Sequence, residues 1–568
     1  MGGFIFLKRT NDNNKLFLDN CNKAIDVFYK KKQEKKSEIF TENFHLYLFK
    51  KRNHDSCNFI EFDNGDFIFN SGTLIYGKNT GEVALKKIYY DYNHKKIFLK
   101  LEGHYCLGIY KNRKLILFND YGGVYHVYAN HNYSIISNSL LAVRTAISQV
   151  TLSLQEIYEY VFNGAFYANR TPIKEISMLN SHKYYDVLSN EIKRNKSIEY
   201  KKSYNFSTFQ ELVEQISIEY INYFKVLHDN FNNSIISALS GGYDTRLMLA
   251  LLQKNKIKSS FYVGGADNSK DVIIAKEISV SEKLNLEHIV QEKSIHNNEN
   301  FINLLKNKFY AIDGLGVVGI FNKLGNMDVE NSKKARLNLN GMGGEIYRNF
   351  WTLPDKSFTV HDFLISKYKN ISYDFCKNFN AKSYFEELAV KVKKILYTQN
   401  DILKRHELEL VYSQMRLKYW ASRTISYLNQ LSFSLAPFIE YKFTLPSSQI
   451  PIKFKNYGYL EAEIIKFINP KLAKYSSNYG INFFDPIPFN FKLKNAFKNA
   501  IPVSIRPSLR KIKNKKERLP EYLNKNFIAE FLGTDELMMS QYFEIDKIYS
   551  VDILSRIFTL ELFLQNNY

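Results

Sequence analysis

The chain reads as a two-part α/β protein. A β-rich, layered α+β portion spans residues 1–205. A doubly wound parallel sheet with a helical C-terminal part spans 206–568. Three observations predict this. Strand-length apolar runs at 67–69, 73–76, 96–99, 104–110, 115–118, 124–128 and 133–136 are split by turn residues and broken by helical patterns at 82–89 and 139–146. Such a mix suits a layered α+β domain. From 235 onward the pattern alternates as strand 235–239, helix 245–252, strand 259–263, helix 271–284 and strand 286–290. That is a βαβαβ core, whose parallel sheet holds ligands at the strand C-termini. The length, 568 residues, suits two or more domains with a core each.

Composition bounds the setting. Hydrophobic content of 45% is ordinary for a globular protein. The abundance of Tyr, Phe, Asn, Lys and Ile reads as codon bias. A net charge of +21 would suit an acidic partner, but it is spread along the chain. Its densest runs, 30–36 and 510–518, read as solvated faces or linkers, with a polyanion site as the alternative. The four cysteines form no C-x-x-C pair and no zinc-like spacing. No segment resembles a signal peptide or reaches the roughly 18 apolar residues of a membrane span. The expectation is a cytoplasmic protein with reduced thiols, with no membrane partner, and nucleic acid is not the expected ligand.

Residues 150–205 read as a connector, with a helix at 154–161, a break at Thr171-Pro172 and strand-like 183–187 before a polar exit linker at 190–202. A helix over 209–226 opens the second part. It leads to Ser240-Gly241-Gly242-Tyr243-Asp244-Thr245, between an apolar strand and a helix. Glycines let the backbone approach a phosphate, and N–H groups at a helix start point at it. Asp244 would sit where it could hold the Mg²⁺ that accompanies a nucleoside triphosphate. A nucleotide base would fit at the next strand tip, Val263-Gly264. A second strand, Gly-rich loop and acid follow at Asn340-Gly341-Met342-Gly343-Gly344-Glu345. Asp313-Gly314 is a loop able to contact substrate. One or two long helices are predicted over 401–430, and helices without a motif over the last 80 residues.

The pentad at 240–244 resembles the pyrophosphate loop of N-type ATP pyrophosphatases. The order Gly103-His104-Tyr105, Asn119-Asp120-Tyr121-Gly122-Gly123, Tyr128 and Ser139-Leu140-Leu141-Ala142 resembles the glutaminase domain of asparagine synthetases, an N-terminal-nucleophile (Ntn) hydrolase fold of αββα layers. That family has a Cys after the initiator Met as nucleophile. This chain has Gly2 there, and Gly72-Thr73 where the family's Asn-Gly-Glu grips glutamine. The resemblance therefore implies a retained fold without glutaminase chemistry. The 341–345 loop resembles the family's second acidic loop, shared with β-lactam-forming and lasso-peptide-cyclising relatives. It makes Asp244 and Glu345 the implied Mg²⁺ ligands, and Ser240, Gly241, Gly242, Asp244, Thr245, Val263, Gly264, Gly341 and Gly343 the implied ATP and pyrophosphate site. Glu345 replaces an Asp, and Met342 stands where glutamine-dependent enzymes carry a Glu. Residues 435–441 resemble an Arg-x-Pro-Phe-Leu-Asp segment with the Arg lost and Glu440 for Asp. Residues 469–480 resemble the region of a catalytic Lys, for which Lys474 is the candidate and Lys471 the reserve.

The resemblance implies an AMP-forming ligase using ATP and Mg²⁺, joining a small-molecule or peptide carboxylate to an amine acceptor. It also allows a homodimer. Three functions remain open: a ligase of non-standard acceptor, an ammonia-fed asparagine synthetase, and a non-catalytic ATP-binding scaffold or regulator.

Overall fold

Two six-stranded antiparallel sheets stack face to face in the N-terminal part of the chain. In the first, strands lie in the order Ile176–Met178, Tyr128–Asn130, Ile135–Ser137, Gly3–Lys8, Phe44–Phe49 and Lys35–Phe40. The second runs Glu191–Arg194, Lys183–Asp186, Lys114–Asn119, Leu101–Lys111, Phe67–Tyr76 and Phe59–Glu61. The computed structural model describes residues 1–9, 14–54, 57–92, 97–194, 201–290, 299–322, 327–369, 371–513 and 517–565.

Alternate side chains of a strand point to opposite faces, and here both faces are apolar. Phe4, Phe6, Phe44, Leu46 and Leu48 meet Phe67, Phe69, Leu115 and Leu117 between the sheets. Ile5, Leu7, Tyr47 and Phe49 turn outward onto helices Asn14–Lys30 and Leu140–Ala146. Ile68, Leu107, Ile109 and Ile116 cover helix Gly81–Asp91 from the other side. The result is an α-β-β-α stack of four layers.

Three strand expectations change in detail. Runs 67–69 and 73–76 form one strand, Phe67–Tyr76. Gly72 carries the chain through at φ +102°, where any Cβ would collide with the His104 carbonyl. The run at 96–99 is a 3₁₀ turn, Phe98–Lys100, Lys96 lying outside the described residues. Residues 124–127 are not strand, because the Asp120 carboxylate binds the Val124 and Tyr125 N–H groups at 2.9 and 2.8 Å.

The parallel sheet has the order Asn285–Ile289, Ser259–Gly264, Ile235–Ala238, Leu337–Leu339, Phe433–Leu435. The chain starts at its centre and steps outward twice through helices Tyr243–Lys254 and Lys270–Ser281. It then returns on the other side of the first strand. The order reverses between Ile235–Ala238 and Leu337–Leu339, and a crevice opens at that point in such sheets. Both Gly-rich loops leave the sheet there. Over 401–430 the chain makes strand Ile402–Leu403, helix Arg405–Val411, a π-helix Tyr412–Ala421 and helix Ser422–Leu431.

The N-terminal sheets and the parallel sheet are joined by buried polar bonds. Lys31 belongs to the basic run expected to be solvated, yet it is buried. Its ammonium pairs with the Asp313 carboxylate and donates to Ser139 Oγ and Gln430 Oε1 at 2.8 and 2.9 Å. Asp313 also accepts the Leu140 N–H at 2.7 Å, so it is a structural tie and not an open substrate loop. Thr73 donates to Asn429 (2.6 Å), the Gly103 N–H to Glu440 (2.9 Å) and the Ala436 N–H to His104 Nε2 (3.1 Å). Lys391 pairs with Glu156 and Glu159 at 2.5 and 2.6 Å. One apolar core runs continuously through Ile5, Phe28, Tyr220, Leu339 and Leu435. The second basic run, 510–518, lies partly outside the described residues. Among the described residues no helix is long and apolar enough to cross a membrane. Cys21, Cys106 and Cys376 are not in disulfides.

These ties generate two predictions. Residues 206–568 expressed alone are expected to be poorly soluble or to melt well below the full chain. A soluble fragment with unchanged thermal unfolding would refute the shared core. Burial holds the His104 imidazole neutral, its pKa pushed down to about 3. The unfolded chain then binds one proton more than the fold below pH ~6.5. Stability is therefore lost as pH falls from there toward 3. His104→Gln is expected to flatten that loss by about 1.4 kcal/mol per pH unit, measured by denaturant unfolding between pH 7 and 5.

Candidate functional site

The loop after Ile235–Ala238 is tightly folded on itself. The Ser240 and Thr245 hydroxyls lie 3.0 Å apart, and the Ser240 N–H donates to Thr245 Oγ1 at 3.1 Å. The two amides expected to face a phosphate have partners within the chain. Gly242 N–H donates to Ser240 Oγ (3.2 Å) and Gly241 N–H to Asp271 Oδ1 (2.9 Å). A Cβ on Gly241 would stand 2.8 Å from Ile274 Cδ1 and 3.0 Å from Asn478 N, so the loop is glycine because two segments press on it.

The second loop packs directly on the first. A Cβ on Gly341 would lie 3.3 Å from the Asp244 backbone. Gly343, at φ +100°, has no room for one beside Ile439. A Cβ on Gly344 would lie 2.6 Å from both Asp244 Oδ1 and Glu461 Oε1. The 3₁₀ turn Gly344–Tyr347 then presents Glu345, and Arg348 follows it.

Arg348 is the hub. Its Nη2 lies 2.6 Å from Asp244 Oδ1 and 3.6 Å from Glu345 Oε1, and its Nε lies 2.8 Å from Glu461 Oε2. Its Nη1 donates to the Tyr479 hydroxyl at 3.1 Å. Glu345 Oε2 accepts from Gly343 N–H and from Tyr412 OH at 3.2 and 3.1 Å. Glu461, on helix Tyr459–Ile468, has a side chain 0% exposed, against 21% for Asp244 and 29% for Glu345. Burial pushes Glu461 well above the usual carboxylate range despite Arg348, and Asp244 adds to the push. Burial and then Glu345 raise Asp244 to about 6 against the pull of Arg348. Burial works against the Arg348 charge, but the three carboxyls override it and hold its pKa above the ordinary guanidinium value.

The two acids expected to bind Mg²⁺ are thus brought together, with a guanidinium between them. Their hard oxygens suit Mg²⁺. Yet among the described residues no three His, Cys, Asp or Glu side chains are set to hold a metal ion. With Arg348 in place the arrangement does not fit the ion.

A segment beyond residue 470 covers the crevice. Arg246, fully buried, donates to the carbonyls of Leu472 (2.9 Å), Tyr475 (3.2 Å) and Ser476 (2.9 Å). Asn478 follows, with its side chain on Asp271 (3.1 Å) and its N–H on the Gly241 carbonyl (3.2 Å). Tyr243 stacks on Phe483 at 4.0 Å. A cavity of about 230 Å³ opens at Arg348, Glu345 and Tyr479. A second, of about 430 Å³, is lined by Tyr459, Phe483, Phe484 and Lys466. Tyr243 and Tyr457 wall both.

Other expected residues lie elsewhere. Lys474 sits over the Phe484 ring at 4.8 Å, and Lys471 pairs with Glu282 on the surface. Neither ammonium has a contact with Asp244 or the 240–245 loop. Val263 is buried, and a Cβ on Gly264 would meet Met327 Sδ at 2.6 Å, so a methionine lies against the strand tip. Met342 donates its N–H to Asn340 Oδ1 and packs on the core. Gly2 is enclosed: a Cβ there would lie 2.5 Å from Gln33 Nε2 and from the Gln430 carbonyl. Sequence reasoning missed Arg348, Glu461, Tyr412 and Arg246. Arg348 stood three residues beyond Glu345, and Arg246 and Glu461 were charged residues inside apolar helices, a pattern that marks buried pairing.

No protein-family model and no curated protein matches the chain. Solved structures similar to part of it include the glutamine phosphoribosylpyrophosphate amidotransferase from B. subtilis complexed with ADP and GMP. That likeness has TM-score 0.24 and 10% identity, over 52% of this chain and 69% of that one. A structure of the allosteric regulatory enzyme of purine biosynthesis gives TM-score 0.24 and 10% identity, over 52% and 67%. The U34-tRNA thiolase NcsA from Methanococcus maripaludis, with its 4Fe-4S cluster, gives TM-score 0.17 and 14% identity, over 50% and 88%. Likenesses this weak identify neither a family nor a function.

The cover over the crevice depends on Arg246. Arg246→Ala leaves three carbonyls without their donor and is expected to cost at least about 3 kcal/mol, since each bond to a charged group contributes about 1.5–3. Denaturant unfolding measures the loss. Limited proteolysis is expected to cut within 470–485 first.

Proposed function

We propose that the protein is an ATP-dependent ligase that forms an amide bond through an acyl-adenylate and lacks glutaminase activity. The supporting observation is the meeting of two Gly-rich loops at the sheet's switch point, with Asp244 and Glu345 on either side of one cation. In the reaction, a substrate carboxylate oxygen attacks the α-phosphorus of ATP and the bond to pyrophosphate breaks. An amine then attacks the acyl carbon, and AMP leaves with the electrons of the mixed anhydride bond. Arg348 is the group of this chain suited to the charge on pyrophosphate, since a guanidinium fork matches phosphate oxygens. Tyr243, Tyr457 and Phe483 would wall the acyl or amine substrate, and a cavity of about 430 Å³ suits an acceptor larger than ammonia. The enclosed Gly2 supports the absence of glutamine hydrolysis, because a nucleophile needs a side chain there.

A second reading, a non-catalytic nucleotide-binding relative, is favoured by one observation. The Gly241 N–H is already bonded to the Asp271 carboxylate, and that carboxylate would repel a phosphate.

The experiment is product analysis with ATP, Mg²⁺ and a panel of carboxylates and amines. The expected products are AMP and pyrophosphate, falling about 10²-fold or more in Asp244→Ala, the scale of losing one electrostatic stabiliser. ADP and phosphate would overturn the proposal. Nucleotide binding without turnover across the panel would favour the second reading.

A further inference from the structure

Helix Phe489–Ala500 has no buried residue, and its two long sides have different surroundings. At about 3.6 residues per turn, Phe491, Asn495 and Asn499 share one face. That face lines the cavity of about 230 Å³ at Glu345 and Arg348. Phe489, Leu493 and Phe497, with Ala496 and Ala500, form a stripe about 100° wide on the other side. The three large side chains are 78%, 45% and 67% exposed. Lys492 and Lys494, both exposed, flank the stripe at its two edges, and Lys498 lies beyond Lys494. Arg506 fixes the helix in this pose. It is buried, and its guanidinium donates to the carbonyls of Lys498, Asn499 and Ile501 at 3.3, 3.2 and 3.0 Å. It also donates to the Thr352 carbonyl, just past Arg348, at 3.0 Å. Beyond the helix, Ile505 and Leu509 repeat the spacing of four and are 48% and 42% exposed. Across 489–513 the sequence carries seven Lys and Arg and no Asp or Glu.

Large apolar groups lined up on one exposed helix face are costly to leave in water and mark a contact surface. The flanking charges choose the partner. A second copy of this chain would set lysine against lysine. An anionic bilayer offers its apolar interior to the stripe and its phosphates to the lysines at the edges, whose long stems reach back to the headgroups. We propose that helix Phe489–Ala500 docks in the plane of an anionic lipid surface, with Phe489, Leu493 and Phe497 entering the boundary between headgroups and acyl chains. Its 12 residues make about 18 Å of helix, too short for a hydrocarbon core of about 30 Å, so the helix lies on the bilayer. No membrane partner is expected from the lack of a spanning segment, but a surface contact needs none. Because the inner face of the same helix lines the Arg348 cavity, docking holds the mouth of the crevice at the lipid surface. This docking is independent of the reaction proposed for that crevice.

The test sediments the full-length protein with vesicles of phosphatidylcholine alone or with about 30 mol% phosphatidylserine. Binding at least about tenfold tighter to the anionic vesicles is expected. F489S/L493S/F497S keeps every charge and is expected to bind those vesicles at least about tenfold more weakly. Circular dichroism and thermal unfolding report whether it is folded. Should it fail to fold, Phe497→Trp decides. Its emission is expected to be quenched by lipids brominated on their acyl chains, beyond any quenching of wild type. Failure of wild type to bind anionic vesicles would overturn the inference. So would equal binding by the folded triple variant, which would assign the attraction to the general positive charge, or an unquenched Phe497→Trp on bound protein. A wild-type dimer that the triple variant abolishes would give the stripe to a second copy and overturn it as well.

Discussion

Three carboxyl groups and one guanidinium share the floor of the switch-point crevice, and the surrounding structure is arranged to hold them. Charged groups this enclosed persist only when each has a partner close by. That requirement brings Asp244 and Glu461 from the first turns of two helices, and Glu345 and Arg348 from a single turn. Gly341, Gly343 and Gly344 are small because those elements must touch. Tyr412, at the head of the π-helix, donates to Glu345, and wide turns of this kind recur at functional sites.

The same economy explains the cover. Arg246 puts its guanidinium on three carbonyls just before Asn478 and Tyr479, so the segment that reaches Asp271 and Arg348 is anchored from below. The crevice is therefore closed by bonds within the chain: Asp271 on the Gly241 amide, Arg348 between the acids, Met327 against Gly264. A ligand that enters must exchange partners with each.

The N-terminal sheets have a structural part independent of any chemistry of their own. Their inner surface ends in polar groups whose partners lie on the parallel-sheet side, from Lys31 on Asp313 to His104 on the Ala436 amide. Such bonds are directional, so they set the position of the strand Phe433–Leu435 and of the helices before it, and through Tyr412 the position of Glu345. The tight packing around Gly2 belongs to this same junction, since Gln33 and Gln430 meet there.

Local pattern determined a great deal. Alternating strands and helices from 235 onward, the Gly-Gly turn at 241–242 and the acid at 345 were all legible, because period and turn chemistry are properties of neighbouring residues. The strands of residues 1–66 were not. Gly3–Lys8 and Phe44–Phe49 are apolar on both faces, so they lack the alternation that marks a strand. Nor could the sequence assign Lys31, read as solvated, or Asp313, read as an open loop. Their burial depends on each other across 282 positions of chain. Arg348 and Glu461 are the sharpest case. Each is an unremarked charged residue in its own segment, and only the reversal of strand order between Ile235–Ala238 and Leu337–Leu339 brings them to the same carboxyl, Asp244. Sequence alone therefore determined which loops face the crevice. The tertiary structure decided which charges occupy it, because the cost of burying a charge is settled by partners remote in the chain.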